Sequence, residues 1–153
     1  MGIEIVTHQP SETVSLGYKI ATHARAGSVF CLTGDLGAGK TTLVRGMAKA
    51  LNIKTVVQSP TFNIMKIYFD GRRPLIHIDA YRLEGVSSDI GLDEYIGYES
   101  GLTVVEWPEF VAGLLPNNAT TIEIINLGDD NRQITITSED KDYLESLNKW
   151  LQY

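Results

Sequence analysis

The stretch that most constrains this chain is GDLGAGKT, Gly34 to Thr41, a complete match to G-x-x-x-x-G-K-[ST]. Such a loop works only between a buried strand and the first turn of a helix. Both neighbours are present. SVFCLT (28–33) is a short apolar run that reads as a strand. KTTLVRGMAKALN (40–52) reads as a helix with Leu43, Met47 and Leu51 on one stripe and Asn52 as its stop. In the loop itself, Gly34, Asp35, Leu36, Gly37, Ala38 and Gly39 turn backbone N–H groups inward around phosphate oxygens. Gly37 and Gly39 reach positive φ at little steric cost. The helix N-terminus adds partial positive charge. Lys40 is placed to reach the β- and γ-phosphates of a nucleotide, and the Thr41 hydroxyl to ligate Mg²⁺. Thr42 is either an α-phosphate contact or an ordinary first-turn residue.

A P-loop triphosphatase needs a further carboxylate for the metal, offered from the end of a neighbouring buried strand. Two runs end that way: LIHID at Asp79 and LTVVE at Glu106. The run before Glu106 carries no charge and three β-branched residues, which suits a central strand beside the P-loop strand. Glu106 is therefore assigned to the metal, and Asp79 to orienting or deprotonating the attacking water. The reverse order uses the same two strand ends. His77, between apolar residues, reads as a satisfied core histidine. Trp107 reads as packing, or as a partner anchor if it stands at a site rim. Arg82 is a surface residue, a partner for Asp79 or a group that stabilises transferred charge.

The remaining segments alternate between helical and extended patterns. IEIVT (3–7) is a short strand, and residues 11–27 form a helix with Ser11 as N-cap, Val14, Tyr18 and Ala21 on its stripe, and Gly27 as its stop. TFNIMKIYF (61–69) and LIHIDA (75–80), joined by DGRRP, form an antiparallel hairpin, and TTIEIINL (120–127) with RQITITS (132–138) forms a second. Helical turns are expected within 87–96 and 110–115, and a closing helix at 139–151. The sum is α/β: a single P-loop NTPase-type domain over residues 1–153, with a mixed central sheet, β-hairpins and flanking helices.

Composition narrows the partners. The 153 residues carry a net charge of −6, with 43% hydrophobic and 21% charged residues, so the chain reads as globular and gives RNA no basic footing. The N-terminus is no signal peptide, and no apolar run approaches the ~18 residues of a membrane helix. The lone cysteine, Cys31, lies in an apolar run, which fits an inert thiol in a reducing cytosol. A cytoplasmic location is expected. Adenine contacts have no local motif; Thr7, Ser11, Thr13 and Arg132 are the candidates.

At five stretches the chain resembles the TsaE family, small bacterial ATPases of tRNA threonylcarbamoyladenosine synthesis. They are GDLGAGKTT (34–42), SPTF (59–62), HIDAYR (77–82), LDEY (92–95) and VEWPE (105–109), in family order and spacing. The resemblance implies ATP as cofactor, Mg²⁺ on Thr41 and Glu106, and Asp79 important for hydrolysis. It also implies that SPTF, with Thr61, behaves as a switch loop near the γ-phosphate. TsaD and TsaB are the implied partners, with tRNA reached only through them. Three other readings compete with this one. A small-molecule kinase needs an arginine-bearing lid that is not visible. A GTPase usually carries an N-K-x-D segment, and there is none. A nucleotide-dependent binding module without chemistry shares the same P-loop.

Overall fold

Val29–Thr33 forms strand β2, and its first four residues are buried, as a strand covered on both faces must be. β2 lies at the middle of a seven-stranded sheet ordered β1-β7-β6-β2-β5-β4-β3. The other strands are β1 (Gly2–Thr7), β3 (Met65–Tyr68), β4 (Leu75–Asp79), β5 (Leu102–Glu106), β6 (Thr120–Gly128) and β7 (Asn131–Ser138). β5 and β6 flank β2 in parallel, and β4 runs parallel to β5. The pairs β3–β4, β6–β7 and β1–β7 are antiparallel, so both expected hairpins are present in a mixed sheet. The computed structural model describes residues 2–35, 37–60, 63–85 and 91–151.

The three α-helices, α1 (Pro10–Thr22), α2 (Lys40–Ala50) and α3 (Lys141–Leu151), supply one continuous core. It joins Leu16 and Ile20 of α1, Leu43 and Met47 of α2, and Leu144 and Leu147 of α3 to sheet residues that include Phe30, Leu32, Val104, Ile122 and Ile136. A second, smaller core forms around Ile76, Ile78 and Val105, covered by 3₁₀ turns at Tyr81–Leu83, Leu92–Glu94 and Pro108–Leu114. The helical turns expected at 110–115 thus appear as 3₁₀ geometry. Of those expected within 87–96, Leu92–Glu94 is such a turn and 87–90 lies outside the described residues.

α1 departs from its sequence pattern in three ways. Its first residue is Pro10, whose fixed φ and missing N–H suit that position, so Gln9 and not Ser11 precedes the helix. It ends at Thr22 with His23 as C-cap, well before Gly27. Its buried side is Thr13, Leu16, Gly17 and Ile20 with Ala21, whereas Tyr18 is 43% exposed. The reason is the crossing with α2. A Cβ on Gly17 would run into the Leu43 carbonyl, and one on Gly46 into the Val14 carbonyl. The two helices touch backbone to backbone, and that contact decides which side of α1 faces inward.

Candidate functional site

β2 delivers the P-loop as the motif requires. Gly34 sits at φ 153, and a Cβ there would lie 2.7 Å from the Ile124 carbonyl oxygen, so β6 closes on the loop only because residue 34 is glycine. Gly39 precedes α2 in the left-handed region, at φ 105 and ψ 17. Among the described residues no side chain caps α2, and its first turn holds no acid. Its leading N–H groups are therefore left for an anion. Leu36 lies outside the described residues; the other loop residues Gly34, Asp35, Gly37, Ala38 and Gly39 hold the expected strand-to-helix path.

Two cavities meet at this loop. The larger, about 700 Å³, is bordered by Gly37, Gly39, Lys40, Thr41 and Thr42 on one side and by Ser59, Asp79, Glu106, Trp107 and Arg132 on the other. Thr61 lies outside the described residues. The smaller, about 280 Å³, shares Asp35, Lys40 and Trp107 with the larger and is bordered by Glu109, Glu123 and Ile125. The two strand-end carboxylates share the larger cavity because parallel pairing sets Asp79 directly beside Glu106. β5 also pairs β2 with Glu106 beside Leu32, two residues before the loop begins.

The environment of the carboxylates is specific. Glu106 is 4% exposed; its Oε2 lies 2.7 Å from His77 Nε2, and its Oε1 3.5 Å from Lys40 Nζ. Burial pushes the Glu106 carboxyl up, but the hydrogen bond and charge of His77, then Lys40, outweigh it and hold the group below its ordinary value. His77 is fully buried, yet it is not a satisfied core histidine: its Nδ1 has no hydrogen-bond partner among the described residues. Asp79 is 5% exposed and its Oδ1 accepts the Tyr81 N–H at 3.0 Å. Its own N–H donates to the Ile64 carbonyl, and the Ala80 N–H to the Glu106 carbonyl.

Trp107 stands at the rim. Its ring lies 5.5 Å from Lys40 Nζ, stacks on Phe110 and tilts against Tyr81, while about a third of the residue stays exposed. Packing and rim exposure, the two readings of Trp107, therefore coexist. Its backbone is left-handed at φ 56, and Ile64, beside the SPTF stretch, is left-handed at φ 66. For side chains of this bulk such φ values are strained, and both flank the site.

Arg132 reaches the loop from β7. Its Nε donates to the Ala38 carbonyl at 2.8 Å, and its Nη1 donates to Asn126 Oδ1 and to the Asp129 and Asn131 carbonyls. It ties the β6–β7 turn to the P-loop while lining the cavity. Thr7 and Thr13 are buried and hydrogen-bond each other at 2.8 Å. The sequence signal for the His77–Glu106 contact was only that both residues interrupt apolar runs.

A family model described as "Threonylcarbamoyl adenosine biosynthesis protein TsaE" matches residues 7–134. The chain belongs to the TsaE family. Among TsaE proteins, that of Bacillus subtilis (strain 168) is 46% identical over 132 residues, covering 86% of this chain and 83% of that protein. That of Treponema pallidum (strain Nichols) is 40% identical over 133 residues, covering 86% and 97%. The crystal structure of Bacillus subtilis YdiB superposes with a TM-score of 0.81 at 38% identity, covering 99% of this chain and 95% of that one. The TsaE fold is thus shared nearly end to end.

Proposed function

We propose that this chain is a Mg²⁺-dependent ATPase, weak alone, that serves tRNA threonylcarbamoyladenosine biosynthesis in the cytoplasm together with TsaD and TsaB. The biosynthetic role follows from family membership. The ATPase reading rests on one observation: Lys40, Thr41, Asp79 and Glu106 converge on a single cavity at the uncapped N-terminus of α2. The donors suit a small hard cation, since a hydroxyl and a carboxylate offer oxygen only. Thr41 and Glu106 would hold it, and it would supply charge neutralisation for the transferred phosphoryl group.

The chain's own groups do the rest. The loop N–H groups and Lys40 position the phosphates. In doing so Lys40 would turn its donors from Glu106 Oε1 toward the phosphates. Asp79, anchored by the Tyr81 N–H, orients or deprotonates the attacking water. The acidic net charge leaves tRNA to the partners.

The test is a magnesium titration of ATP turnover, alone and with TsaD and TsaB, for Glu106→Ala and Asp79→Ala. Glu106→Ala should weaken Mg²⁺ binding and be partly rescued by excess Mg²⁺. Asp79→Ala should keep Mg-ATP binding and lose about 10²- to 10⁴-fold in turnover. The opposite pattern would exchange the two roles. A thermal melt unchanged by saturating Mg-ATP, where about 2.7 kcal/mol is expected at 100 times the dissociation constant, would remove the ATPase reading.

A further inference from the structure

We propose that His77 is a positioning residue for Glu106, fixing Oε2 so that Oε1 alone faces the P-loop. This rests on the reading of Glu106 as a metal ligand. The pairing of β4 with β5 sets Asp79, not His77, beside Glu106; His77 sits beside Val104. The Glu106 side chain therefore folds back along the sheet to reach Nε2 at 2.7 Å, away from the neighbouring carboxylate. Its second oxygen is left 3.5 Å from Lys40. When Lys40 moves to phosphate, Oε1 is released and Oε2 stays held.

The chemistry of the pair fixes the proton. Nε2 lies 2.7 Å from Oε2, and a carboxylate oxygen only accepts, so Nε2 is the donor of the pair. Nδ1 is the nitrogen left without a partner among the described residues. Core packing alone gives no reason for histidine here. The same side of the sheet carries Leu75, Leu102 and Val104, and an apolar residue at 77 would strand no nitrogen. What histidine adds is a donor at the far end of a rigid ring, the arrangement that orients a metal-binding carboxylate from behind.

The experiment compares His77→Gln, whose amide nitrogen can take the place of Nε2, with His77→Asn, whose shorter amide cannot. The probe is a non-hydrolysable ATP analogue, titrated by calorimetry with and without Mg²⁺. The readout is the gain in affinity that Mg²⁺ confers. His77→Asn should lose about tenfold of that gain, while His77→Gln keeps it within about twofold. Analogue affinity without Mg²⁺ should match the wild type in both. A full gain in His77→Asn, an equal loss in both variants, or a loss of metal-free affinity would overturn the proposal. Glu106→Gln separates the two levels. If it keeps the gain, the metal role of Glu106 fails and this proposal falls with it. If it loses the gain while His77→Asn keeps it, only the proposal about His77 is wrong.

Discussion

Gly46→Ala pits helix propensity against packing. Gly46 lies inside α2, where alanine is favoured by about 1 kcal/mol over glycine. Against that, the new methyl group would meet the Val14 carbonyl, with its carbon at 2.9 Å and the Gly17 Cα at 3.1 Å. Ordinary carbon contacts begin near ~3.5 Å, so α1 and α2 must move apart by several tenths of an ångström or more. The obstacles are backbone atoms, which cannot swing aside as a side chain would. Overpacking of this kind costs about 1–3 kcal/mol, and backbone on both sides places it toward the upper end. The net is a loss of about 1–2 kcal/mol, or roughly 2–8 °C in melting temperature for a chain of this size. Thermal and urea unfolding would measure it, with Gly113→Ala as the reference, since nothing lies within 4 Å of a Cβ there. A Gly46→Ala protein that melts at or above the wild type would refute the backbone contact between the helices.

Three further outcomes are expected. Lys40→Ala should abolish ATP turnover yet unfold cooperatively, because His77 still holds Glu106; loss of the folded state without nucleotide would count against a ligand role. Cys31, whose thiol burial pushes up to about 11, should resist a disulfide reagent at pH 8 until denaturant is added. Glu106 has a folded-state pKa below its unfolded value, so its contribution to stability is present above about 4.5 and is lost as pH falls through the folded value. Denaturation of the wild type and Glu106→Gln between pH 3 and 6 would show this as a steeper acid loss in the wild type; parallel curves would contradict it.

Much of this was legible because the P-loop is a local device. GDLGAGKT dictates its own strand and helix, and the unbroken apolar run before Glu106 correctly set β5 beside β2. Both hairpins announced themselves by their turn residues. The inward side of α1 was not legible, since Val14, Tyr18 and Ala21 satisfy a helical period as well as Leu16 and Ile20 do. Only the touch of Gly17 on α2 decides between them, and a glycine in a helix reads as weakness, not as a contact. The bond from His77 to Glu106 spans 29 positions, and that from Arg132 to Ala38 spans 94. No local pattern encodes such pairs. They follow from strand order, which is settled by the whole sheet.

The pairing of β4, β5 and β2 has a consequence for errors in folding. Along each strand the side chains alternate between the helix side and the 3₁₀ side. Were β5 to slip by one position, Val105 would take the place of Val104 under α2, and Glu106 would be carried to the other side of the sheet. The slipped chain would lose the carboxylate proposed for the metal and misplace its core in the same step. Under the proposed function, competence to bind nucleotide is therefore a report on strand alignment, and a misaligned molecule betrays itself by failing at both tasks together.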